Sequence, residues 1–122
     1  MKSIIPGLII MSLVFTACSS NEKEAEKKNP KRFLTVEGND RKNLLGQTVI
    51  KGTIANKATV ASYKDVDIEL SFYSETGALL LRDHEVIYKV IAPGSSQSFK
   101  TKILAPKGTD SVAMKIVAAK VE

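Results

Sequence analysis

The chain holds one histidine, one cysteine and one run of alternating carboxylates. His84 lies between Asp83 and Glu85. For His84 to act as a base, it needs a serine to activate and a third group to orient it. No Gly-x-Ser-x-Gly context occurs in the sequence, so His84 reads as a hairpin-loop residue and no catalytic residue is assigned. Zinc needs three or four ligands, and one His with one Cys falls short. Asp65, Asp67 and Glu69 stand at i, i+2 and i+4, on one face of an extended segment. Three carboxylates in line can accept calcium with help from a loop carbonyl. Calcium loops wrap the ion, however, which favours cross-strand pairing with Lys51, Lys100 or Lys102. Tyr63, Tyr73 and Tyr88 form either a contact patch or packed rings with their hydroxyls in water. No glycine-rich phosphate cradle is present, and no cofactor or metal is assigned.

The elements that position these residues are strands. Val66, Ile68, Leu70 and Phe72 alternate with Asp67, Glu69, Ser71 and Tyr73, the period of a half-buried strand. Ser74-Glu75-Thr76-Gly77 is turn chemistry, and Ala78–Leu81 returns as the second arm of a hairpin. The spacing predicts further strands at Phe33–Glu37, Gln47–Ala55, Glu85–Ile91, Gln97–Leu104 and Ser111–Val121. Gly38-Asn39-Asp40, Ala92–Ser96 and Ala105–Asp110 read as turns, and Arg82-Asp83-His84 as a break. Gly52 inside a strand marks a bulge or a close backbone approach. On the last strand Val112, Met114, Ile116 and Ala118 face the core, and the strand is either an open edge for a partner or a covered central strand. Seven or so short strands with no helical periodicity predict an all-β, immunoglobulin-like antiparallel β-sandwich.

Length and charge bound the rest. The 122 residues allow one domain, with 43% hydrophobic and 6% aromatic residues and no Trp. The net charge of +5 is spread out: residues 33–122 carry 12 Lys and Arg against 10 Asp and Glu. No aromatic residues interleave with a basic cluster, so nucleic acid is not an expected partner. At the N-terminus, Lys2 precedes an apolar stretch from Ile4 to Phe15, too short for the ~20 residues of a membrane span. Thr16-Ala17-Cys18 closes it with small residues and the only cysteine. Residues 19–32 are polar and charged, with Lys23, Lys27, Lys28, Lys31 and Arg32 among them, a composition that predicts a flexible tether weakly attracted to anionic lipid.

Phe15-Thr16-Ala17-Cys18 resembles a bacterial lipoprotein leader. The resemblance implies a signal peptide over 1–17, diacylglycerol on the Cys18 thiol, cleavage before Cys18 and acylation of the new amine. It therefore implies a lipid-anchored protein of the bacterial cell envelope, on the periplasmic or surface face of the outer membrane. A disordered tether over 18–32 and a sandwich over 33–122 follow as the expected organisation. Within that sandwich, Ile50–Asn56, Val66–Gly77, Ala92-Pro93-Gly94 and Phe99 resemble the FxLYD group of immunoglobulin-like domains in exported bacterial proteins. The likeness covers about residues 47–120, with Tyr73 on the pattern's tyrosine. It implies no enzyme activity and no agreed ligand. The expected role is a non-enzymatic interaction module for an envelope protein or glycan. The alternative is a carrier of a small apolar ligand, or an accessory subunit of an envelope complex, with a cavity lined by Ile50, Phe72 and Met114.

Overall fold

The computed structural model describes residues 23–122. The expected leader, Cys18 and the first part of the tether lie outside the described residues. Two short helical stretches, α1 (residues 23–28) and α2 (Pro30–Phe33), lead into six strands. These are β1 (Leu34–Lys42), β2 (Thr48–Asn56), β3 (Tyr63–Ser74), β4 (Leu79–Ile87), β5 (Ser96–Ile103) and β6 (Thr109–Val121). Two antiparallel three-stranded sheets form, in the orders β1-β2-β5 and β4-β3-β6. These orders match A-B-E and C′-C-F of an immunoglobulin-like sandwich, with six strands in place of the expected seven or so. The core lies between the sheets: Ile50 and Ile54 from one meet Val66, Ile68, Leu70, Phe72 and Ile116 from the other.

The missing strand is explained by β4. The polar run Arg82-Asp83-His84 does not break it, because these residues keep pairing with Ser71, Leu70 and Glu69. β4 is an edge strand with both faces largely in water, so polar side chains cost it nothing there. Gly38-Asn39-Asp40 likewise stays in the edge strand β1, paired with Gly52, Lys51 and Ile50, and does not turn. Both glycines face the core for a steric reason. A Cβ on Gly52 would lie 2.5 Å from Cζ of Phe99, whose ring covers the Gly52 backbone. A Cβ on Gly38 would run into the Lys51 carbonyl oxygen and lie 2.8 Å from Cα of Gly52 on the paired strand, with Cε of Met114 at 2.9 Å.

Register shifts between β3 and both its neighbours reset the faces of the second sheet. An extra residue in β6 at Val117 separates the pairs Ile68–Ile116 and Asp67–Ala118. Ala118 consequently points outward, against expectation, and Ala119 and Val121 pack on the core. A second bulge, in β3, centres on Asp65, the one described non-glycine residue with positive φ, at 48°. β6 is an edge strand pairing with β3, not a central one, and its flank approaches β1 and α2.

Candidate interaction site

The carboxylate stripe is a set of surface ion pairs. Asp67 accepts from His84 Nδ1 at 2.8 Å, Glu69 lies 3.7 Å from Arg82 and Asp65 lies 3.6 Å from Lys120. The pairing is cross-strand as expected, but the partners come from β4 and β6 of the same sheet. Lys51, Lys100 and Lys102 belong to the other sheet. Among the described residues no group of three or more His, Cys, Asp and Glu is placed to hold a metal. His84 sits in β4, not in a hairpin loop. The Asp67 hydrogen bond raises its pKa above the ordinary value against a smaller desolvation effect, with the charges of Asp67, Glu69 and Asp83 adding to the rise. The three tyrosines do not share a patch: Tyr63 is in the core and Tyr88 is largely exposed. Ile50 and Phe72 are fully buried and Met114 packs against them, so the space expected for an apolar ligand holds the protein's own core.

The most elaborate polar site was not foreseen. Glu26, in the stretch expected as tether, is buried against the β2–β3 loop. Its carboxylate accepts from the backbone N–H groups of Thr59, Val60 and Ala61, each at 2.9 Å, and from the Thr59 hydroxyl at 2.8 Å. Tyr63 donates its hydroxyl to the Glu26 backbone oxygen at 2.7 Å, and Lys57 N–H donates to the Phe33 carbonyl at 2.7 Å. Burial alone would push the Glu26 carboxyl up. The three backbone donors, with the Thr59 hydroxyl, outweigh it and hold the carboxyl at about 2. Burial and the Glu26 charge raise the Tyr63 phenol, which keeps its proton for the bond it donates.

The folded part therefore begins well before residue 33. Residues 23–32 are helical over most of their length and fastened to the sandwich, where an unstructured tether was expected. The physical reason is that loop 58–62 presents three backbone donors in succession and lacks a carboxylate of its own. Asn56 braces the same loop from inside: its amide donates to the carbonyls of Ala61 and Ile91, and its oxygen accepts from Ala58 N–H. A loop so poor in side-chain acceptors was the available sign that an acceptor must come from elsewhere.

Strand directions give the sandwich two poles. Glu26, the β2–β3 loop and residues 88–95 lie at one pole, tied by the Tyr63–Ile91 bridge and the Gly94 N–H to Asn56 carbonyl bond. The β1–β2, β3–β4 and β5–β6 turns lie at the other. There Asn43 closes a turn, its side-chain oxygen accepting from the N–H groups of Leu45 and Gln47. This turn holds Leu44 at 105% and Leu45 at 80% exposure, and Leu104, beyond the Thr48–Ile103 pair, at 74%. Midway between the poles, an open groove of about 760 Å³ crosses the outer face of β1-β2-β5, with Lys51 and Lys100 on one wall and Thr53 and Ser98 on the other. Scans against family models, curated proteins and solved structures find no match to the chain.

Proposed function

We propose that this chain is a non-enzymatic, lipid-anchored protein of the bacterial cell envelope, whose FxLYD-like sandwich is an interaction module for an envelope protein. The leader ending just before Cys18 supports the anchor, and the exposed leucine pole supports the module. That pole carries the proposal. Leucines exposed almost completely at one pole, two of them adjacent on a turn held by Asn43, gain if a partner covers them, and this supports an interaction surface there. Three leucines fit an apolar recess on a protein better than a glycan. The anchored end and the leucine end are opposite poles, so the leucines face away from the membrane when Cys18 is acylated. The carrier reading loses support because Ile50, Phe72 and Met114 fill the space it needs.

The test is photo-crosslinking in cells. A photoreactive residue at position 44 or 45 should yield a discrete adduct that the same group at Thr53, on the groove wall, does not. Leu44→Asp with Leu45→Asp should abolish the adduct formed from position 104 without lowering the melting temperature, since both side chains are already in water. Equal, diffuse labelling from all positions would overturn the leucine pole as the contact surface.

A further inference from the structure

We infer that the Glu26 pole of the sandwich is itself a membrane-contact surface, seated on anionic phospholipid headgroups. The inference rests on the lipid-anchored reading above and adds which face of the folded domain meets the lipid. Three separate features meet at this pole.

The first is charge. Residues 23–33, 57–65, 88–92 and 119–122 carry nine Lys and Arg against four Asp and Glu. One of the four, Glu26, is buried with its charge already met by backbone donors. At the leucine pole, residues 39–48, 74–79 and 102–110 carry four against three. The cationic excess of the folded part is therefore concentrated where the chain enters from Cys18.

The second is apolar exposure in the same place. Val60 and Val90 are half-exposed and Tyr88 largely so, all on connecting segments of this pole. Lys23 and Lys27 line a concavity together with Val60 and Val121. Exposed apolar side chains beside lysines suit the interface between headgroups and acyl chains, where lysine stems lie along apolar surface and the ammonium groups reach phosphate.

The third is reach. Four residues separate Cys18 from Lys23, five steps along the chain that span at most about 18 Å. Glu26 then fixes the chain to the β2–β3 loop. An acylated Cys18 therefore keeps this end of the chain within about 18 Å of the lipid, from where its lysines can come within the roughly 8 Å Debye length over which an anionic surface attracts them.

The test uses the chain purified from membranes with its natural Cys18, carrying Val60→Cys or, as the distal control, Thr76→Cys. Each is labelled with an environment-sensitive fluorophore and reconstituted in vesicles of phosphatidylcholine with or without phosphatidylglycerol. With phosphatidylglycerol, the label at 60 should shift to the blue and be quenched by a lipid-borne quencher, and the label at 76 should not. Lys23→Glu with Lys27→Glu should reduce the inserted fraction at 60 about tenfold or more, since each lysine contributes about fivefold near such a surface. High salt should act in the same direction. A label at 60 that stays as water-exposed as the one at 76 in phosphatidylglycerol vesicles would overturn the inference, as would insertion that ignores both charge reversal and lipid charge. Failure of the anchor shows separately, as fluorophore attached to a bare Cys18 thiol in the otherwise unchanged chain.

Discussion

Replacing Glu26 tests how the N-terminal segment is joined to the sandwich. Glu26→Ala removes an acceptor from three backbone N–H groups and from the Thr59 hydroxyl. Hydrogen bonds to a charged acceptor contribute about 1.5–3 kcal/mol each, and a donor left buried and unpaired costs a similar amount. Four such bonds would sum to about 6 kcal/mol or more, but water reaches the amides of Thr59 and Val60 once the side chain is gone and recovers about half of it, so the net loss is about 3 kcal/mol. For a domain of roughly 100 residues each kcal/mol moves Tm by about 4–8 °C, so the variant should melt about 12 °C or more below the parent. The acid limb gives a second reading of the same contact. The Glu26 carboxyl titrates at about 2 when folded, against 4.5 for the free group. The unfolded chain binds more protons between those values, so the contribution is complete above about pH 4.5 and is lost as pH falls through about 2. Glu26→Gln should flatten that part of the stability curve. Denaturant titration of the three proteins from pH 7 to pH 2 reads both effects. A loss below about 0.5 kcal/mol for Glu26→Ala, the scale of an ordinary surface change, would refute the buried contact. So would acid limbs that coincide for the parent and Glu26→Gln.

The remaining predictions concern the sheets and the anchor. The His84 imidazole, followed by nuclear magnetic resonance, should titrate above 6.5, and Asp67→Asn should bring it down toward that value. Because its folded pKa is raised, the stability His84 adds is present below 6.5 and disappears as pH rises through the folded value. Gly52→Ala should cost about 1–3 kcal/mol by driving the Phe99 ring off the strand, and Gly52→Ala with Phe99→Leu should recover part of it. Cys18→Ser should move the protein from the membrane to the soluble fraction of fractionated cells.

What was legible in the sequence follows from how local each signal is. Val66, Ile68, Leu70 and Phe72 declare β3 because a half-buried strand imposes a period of two on its own residues. The turn at residues 74–77 was equally plain: Gly77 adopts φ 86° and donates its N–H to the Ser74 carbonyl. The edge strands were harder. Gly38-Asn39-Asp40 in β1 and Arg82-Asp83-His84 in β4 offer no apolar alternation, and nothing in such a run separates a paired edge from a loop. The outward turn of Ala118 comes from a bulge, which leaves no mark on an apolar stretch. Glu26 was hidden for a different reason. It stands in a charged run that composition assigns to water, and the donors that bury it lie 33 to 35 residues away.

Intact mass of the chain extracted from the cell envelope tests the proposed lipid anchoring of the sandwich most directly, because the lipid anchor and the loss of the leader both change it. The account predicts a protein that starts at Cys18, lacks residues 1–17 and is heavier than its polypeptide by a diacylglyceryl group and a further acyl chain. A mass equal to the bare polypeptide, with Cys18 as a free thiol, would contradict it.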